Sequence, residues 1–120
     1  MQISFDKIPV ETVPHMRGGE KEVFLQKAVH GPMKVLRGVL PPGATIGPHT
    51  HETNSEVIYI LSGTGKVLCG DVWEPLAPGA CHYCPKGGTH SLVNDSGEAL
   101  TFFAVVPEQR TPRQERNDHK

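Results

Sequence analysis

The chain has 120 residues, is 37% hydrophobic and 21% charged, and carries a net charge of −1 from 12 Lys plus Arg against 13 Asp plus Glu, values ordinary for a single globular domain. Without a basic face or alternating basic and aromatic residues, nucleic acid and anionic membranes are poor partners, and no apolar run approaches the roughly 20 residues that span a bilayer. The N-terminus Met-Gln-Ile-Ser-Phe-Asp lacks the basic and apolar regions of a secretory signal, and three cysteines, an odd number, suit a reducing cytoplasm.

The 13 glycines and 11 prolines are spread along the chain, so short apolar runs alternate with turns. Ile3 to Ile8 reads as a first strand, and Pro9, Pro14, Gly18 and Gly19 make a loop after it. Strands follow over Val23 to Val29 and Lys34 to Leu40, divided by His30-Gly31-Pro32. Arg37 interrupts the second of these. Charged strand residues mostly lie on a solvated face, and the alternative is an inward clamp for a substrate anion.

Next comes Gly43 to Gly63, where Pro41, Pro42, Gly43, Gly47 and Pro48 exclude a helix. On a strand, side chains two apart share a face, so His49 and His51 can grip one metal ion together. A turn over Glu52 to Ser55 would fold Glu56 back beside them as the first residue of a strand running to Leu61. Gly63-Thr-Gly65 leads into Lys66 to Cys69, and Gly70-Asp71 forms a two-residue hairpin to Val72 to Leu76, where Pro75 marks an edge. Ala80 to Cys84, His90 to Val93 and Ala99 to Val106 complete the strands, separated by turns at Ala77 to Gly79, Pro85 to Gly88 and Asn94 to Gly97. A hairpin through Pro85 to Gly88 would deliver His90 to the site of His49, His51 and Glu56. Eight or more short strands without helical periodicity imply an all-β sandwich or barrel. Residues 107–120 contain no large apolar side chain and read as a polar, poorly ordered tail after a domain spanning 1–106.

Two spacings in this pattern are specific. Gly43, His49, His51, Glu56 and Gly63 match G-x5-H-x-H-x4-E-x6-G, and Gly79, Pro85, Gly87, His90 and Asn94 match G-x5-P-x-G-x2-H-x3-N. In both motifs, residues 43–63 and 79–94, the chain resembles the cupin superfamily. The resemblance implies a jelly-roll β-barrel of two antiparallel sheets, with His49, His51, Glu56 and His90 as ligands of one divalent transition metal ion. Three imidazoles and one carboxylate leave up to two coordination positions open, and a set that is neither thiolate nor all oxygen disfavours structural zinc, calcium and magnesium. Iron, manganese, nickel, cobalt, copper and zinc all remain compatible.

Cys81-His82-Tyr83-Cys84 contains a C-x-x-C, but strand residues three apart face opposite ways and cannot bond one ion together. Cys69, Cys81 and Cys84 read instead as small core residues. Either His82 with Cys84 or Tyr83 with Cys81 points inward, so His82 and Tyr83 are the candidate acid or base residues. Ile58 and Ile60 share the ligand face, Val57, Tyr59 and Leu61 point away, and Leu92 and Asn94 follow His90, which predicts a mostly apolar cavity around the metal. Asn94 is either a support for the site or a turn cap. These features predict a metal-dependent enzyme acting on a small polar organic molecule. Dioxygenase or oxidoreductase chemistry is favoured over a sugar or sugar-phosphate isomerase or epimerase, and a non-catalytic binding module for a sugar or carboxylate is the reading of a different class. The resemblance, with outward Tyr59 and Leu61, also implies a homodimer, in which the N-terminal strand would pair with a neighbouring sheet edge.

Overall fold

A computed structural model of the chain describes residues 1–111. Among the described residues there are ten strands: β1 (Glu11–Pro14), β2 (Glu22–His30), β3 (Met33–Leu40), β4 (Thr45–Thr50), β5 (Glu56–Ser62), β6 (Gly65–Cys69), β7 (Val72–Leu76), β8 (Cys81–Cys84), β9 (Thr89–Val93) and β10 (Leu100–Pro107). They form a six-stranded sheet in the order β1-β2-β3-β10-β5-β8 and a four-stranded sheet in the order β4-β9-β6-β7. All the pairings are antiparallel, which makes the fold a jelly roll of two facing sheets. Among the described residues, no helix is long and apolar enough to cross a membrane.

Alternation builds the core. Leu100, Phe102, Ala104 and Val106 of β10 are buried, as are Ile58 and Ile60 of β5 and Leu36 and Leu40 of β3, while the residues between them face outward. Gly38 takes the inward position of β3 beside Phe102, and a Cβ there would collide with the Phe102 ring. The expected hairpins close β2 to β3 and β6 to β7, pairing His30 with Met33 and Cys69 with Val72. Pro75 lies on β7, the edge of the smaller sheet.

Several expectations change. Ile3 to Ile8 is not a strand, because Phe5–Lys7 forms a 3-10 turn. The turn lies against the outer face of the larger sheet. There the Gln26 amide donates to the carbonyls of Phe5 and Ile8 at 2.6 and 2.9 Å, and the Phe5 ring meets Phe103 edge-on. The edge strand is β1, paired with β2 of its own chain. Arg37 shares the outward parity of β3 and donates to Gln26 Oε1 at 3.5 Å, so it is no inward clamp. Of the three cysteines expected in the core only Cys84 is buried: Cys69 is half-buried, and Cys81 is exposed on that outer face because strand residues three apart point opposite ways. The first tail residues are tied down: Glu108 and Gln109 donate backbone N–H groups to Pro32 and Thr53. Residues 112–120 of the expected tail lie outside the described residues.

The chain from β8 to β9 is not a paired hairpin. β8 belongs to the six-stranded sheet and β9 to the four-stranded one, so Pro85 to Gly88 carries the chain across the sandwich. Residues 51–55 make the same crossing between β4 and β5. The two crossings are hydrogen-bonded to each other, with His51 N–H donating to Gly88 O at 2.9 Å and Gly87 N–H to His51 O at 2.7 Å. This clasp brings both sequence motifs to one point.

Candidate metal centre

A bulge in β4 aims the first two histidines. Ile46 pairs with Leu92 and His49 with His90, so Gly47 and Pro48 together oppose Ser91 alone. Strict alternation would send His49 to the face opposite Ile46. The extra residue reverses the parity, and His49 and His51 join Ile46 on the inner face. Pro48 offers no N–H to the ladder and is accommodated at the bulge, while Ser91 Oγ–H donates to the Ile46 carbonyl at 2.7 Å. Glu56 opens β5 on the facing sheet, and His90 lies directly across from His49.

Four ligand atoms converge there. His51 Nε2 and His90 Nε2 lie 3.1 and 3.0 Å from Glu56 Oε1, His51 Nε2 is 2.9 Å from His90 Nε2, and His90 Nε2 is 3.0 Å from His49 Nε2. Ligands at neighbouring corners of an octahedron, about 2.1 Å from a central ion, stand about 3.0 Å apart. All four atoms lie within 4.8 Å of one another, and His49, His51, Glu56 and His90 could hold a metal ion.

The outward nitrogens of the rings explain why the inward ones are bare. His49 Nδ1–H donates to the Gly47 carbonyl at 2.8 Å, and His51 Nδ1–H donates to Asn54 Oδ1. Oxygen acceptors fix the proton on Nδ1 and leave the Nε2 lone pair free for a metal. His90 Nδ1 lies 3.0 Å from His82 Nε2, and the two rings stack with centroids 5.2 Å apart. Bare nitrogens beside a buried carboxylate suit a cation, so the donor set fits a divalent transition metal.

In the metal-free chain, burial pushes the Glu56 carboxyl up, but hydrogen bonds from His51 and His90 outweigh it and hold the group down at about 2. The Glu56 hydrogen bond raises His51 against the opposing effect of burial. Burial lowers His49 and His82. Desolvation also pushes the Cys84 thiol up to about 11, which makes it an inert core group.

A cavity of about 240 Å³ opens onto the cluster, lined by Met16, Arg17, Lys34, Thr50, Glu52, Thr53 and Asn54 together with His49, His51 and Glu56. Its mouth is polar, contrary to the expected apolar cavity. Only a small inner chamber of about 30 Å³, bounded by Leu25, Ile46, Ile58, Leu92 and Phe102, is apolar, because aliphatic side chains fill the rest of the barrel. His82 is buried behind His90 and lines neither space. Tyr83 is 58% exposed on the opposite face of β8. Asn94 is a turn cap: its amide donates to the Leu40 and Glu98 carbonyls, and its Oδ1 accepts from Ser96.

Sequence reasoning missed Asn54, Arg17 and Lys34. Asn54 could have been found as the polar residue three after His51 in a turn. Arg17 is invisible in the sequence because its loop reaches the site only through packing on β4.

The cupin domain family model matches residues 36–106. The oxalate-binding protein of Thermotoga maritima is 32% identical over 112 residues, spanning 88% of this chain and 93% of that protein. Protein SchB of Streptomyces halstedii is 30% identical, over 88% of this chain and 76% of its own length. The crystal structure of a predicted oxalate decarboxylase from Thermotoga maritima superposes with a TM-score of 0.85 at 30% identity, covering 90% of this chain and 99% of that one. The polyketide cyclase RemF of Streptomyces resistomycificus gives 0.74 at 25% identity, over 93% and 82% of the two chains. Sequence motifs, sheet order and these similarities agree, and the chain belongs to the cupin family.

Proposed function

We propose that this cupin holds one divalent transition metal ion on His49, His51, Glu56 and His90 and acts on a small oxygen-rich organic acid at the open side of the site. The observation that carries this reading is the convergence of three Nε2 atoms and one carboxylate oxygen, with Nδ1 of His49 and His51 tied to oxygen acceptors. When bound, such an ion supplies Lewis-acid polarisation of a substrate oxygen or a redox centre. Glu56 contributes the only negative charge among the four, and its depressed pKa keeps it ionised at neutral pH. Asn54 and the Gly47 carbonyl orient two of the rings, and His82 acts as a positioning residue for His90 rather than as an acid or base in the cavity. Tyr83 faces away and has no part in the chemistry.

The name of the Thermotoga relative supports a small carboxylate as the ligand class. Turnover by oxidoreductase chemistry is the favoured outcome, and the same name favours a binding module as the second reading. The two separate when protein loaded with iron(II) or manganese(II) is incubated with oxalate and related small acids. An enzyme consumes oxygen or releases a new product; a binding module returns the acid unchanged in stoichiometric amount. We also propose a homodimer covering the outer face of the larger sheet, where Tyr59, Leu61 and Tyr83 are exposed and Val57 pairs with Tyr83 and Tyr59 with Cys81 in one apolar patch.

A further inference from the structure

The cavity mouth carries two cations that make no ion pair with a carboxylate among the described residues. Arg17 and Lys34 both line it, and neither has an ion-pair partner there. They come from opposite sides of the sandwich. Lys34 lies on β3 of the six-stranded sheet, at the inward parity of Leu36 and Leu40. Arg17 sits in the turn Met16–Gly18, which packs on β4 of the other sheet.

That turn is built to hold Arg17 in place. His15 and Arg17 adopt left-handed conformations with φ of 49° and 55°, followed by Gly18 at 77°, an arrangement that persists only where the surroundings enforce it. The enforcement is visible. A Cβ at Gly19 would collide with the Thr45 carbonyl, and one at Gly47 with the Arg17 carbonyl. Glu20 and Thr45 exchange hydrogen bonds, with Glu20 N–H donating to Thr45 Oγ1 at 2.8 Å and Thr45 N–H to Glu20 O at 3.0 Å. Gly47 therefore serves two ends: its missing side chain seats the Arg17 backbone, and its carbonyl orients His49.

The charges at the mouth imply a ligand class. In formal charge, the cations Arg17 and Lys34 equal the carboxylates Glu52 and Glu56 that line the same cavity. The charge of a divalent ion on the cluster is then left unbalanced, and a dianion neutralises the site.

We propose that Arg17, assisted by Lys34, is the specificity-determining residue of this cavity and selects a small dicarboxylate over neutral molecules of the same shape. The planar guanidinium matches one carboxylate in a two-point contact, while the other end of the acid faces the histidine cluster. Arg17 lines the same cavity as His49, His51 and Glu56, which agrees with this placement. The selection of a dianion rests on the metal reading above, whereas the role of Arg17 in anion recognition does not.

The test is calorimetric titration of the full-length protein with oxalate, with its neutral diamide oxamide and with inorganic phosphate, beside elemental analysis of every sample. Arg17→Gln is expected to weaken oxalate about tenfold or more, Lys34→Gln less, and Arg17→Lys to an intermediate degree. Metal content should not change, and oxamide should bind weakly to all of them. Oxalate affinity within about twofold of wild type in the Arg17→Gln/Lys34→Gln double variant would overturn the proposal. So would oxamide binding as tightly as oxalate, or phosphate binding more tightly than oxalate. Should the wild-type protein hold no metal, the metal reading fails, yet the comparison still decides the role of Arg17. A loss of oxalate binding on substitution supports it, and equal affinity or no oxalate binding at all refutes it.

Discussion

His51 and Glu56 form a buried acid-base pair whose protonation governs the metal-free site. The depressed Glu56 carboxyl, at about 2 against an ordinary 4.5, stabilises the fold fully above 4.5 and loses that contribution as pH falls toward 2. His51 is raised above its ordinary 6.5, so its contribution is complete below 6.5 and is lost as pH rises through the raised value. The two overlap between 4.5 and 6.5. In metal-free protein, Glu56→Gln should lower Tm most in that window, and the difference from wild type should vanish near pH 2; a difference that stays constant with pH would refute the pairing. At this scale much was legible in the sequence. His49, His51, Glu56 and His90 could be named because a strand places alternate residues on one face and the two motifs fix the distances between them. The partners of their Nδ1 atoms were not legible, since Asn54 and His82 act through ring orientation, which sequence spacing does not encode.

The strands themselves followed from alternation and from the glycines and prolines between them, and β2 to β10 fall close to where those signals place them. Which sheet each strand joins did not follow. The turn Pro85 to Gly88 reads as a hairpin, yet it crosses between sheets because β8 finds β5 and β9 finds β4 and β6. The bulge at Gly47 and Pro48 was hidden for the same reason, as it is a count of residues against a partner strand. Two glycines separate packing from site geometry. Gly38→Ala forces a methyl into the buried Phe102 ring, and Gly47→Ala forces one into the backbone of Arg17. Each should cost about 1–3 kcal/mol of stability. Only Gly47→Ala should also weaken metal binding, because its carbonyl holds His49. Thermal melts with chelator competition on both variants check this, and equal metal affinity in the two would break the link between the bulge and the site.

Across the whole molecule, each motif segment spans both sheets: β4 of the first pairs with β9 of the second, β5 pairs with β8, and the crossings at His51 and at Gly87 and Gly88 clasp each other between them. The jelly roll thus supplies a rigid frame of buried aliphatic side chains, with the polar cluster and its charged mouth at one end. The polarity of that mouth was not legible. Arg17 and Lys34 lie outside both motifs, and the sequence drew attention to Arg37 instead, which the parity of β3 turns to the outer face. A bound ion would tie the sheets together through four side chains, so stability should rise with metal by mass action. The measurement that tests this account most directly is elemental analysis of the protein purified without added metal, beside the His49→Ala/His51→Ala double variant, with Tm recorded before and after chelation. Near-stoichiometric transition metal in the wild type, absent from the variant, with a Tm that falls on chelation, is the predicted result. No metal in either protein, even after anaerobic reloading with iron(II) or manganese(II), would contradict it.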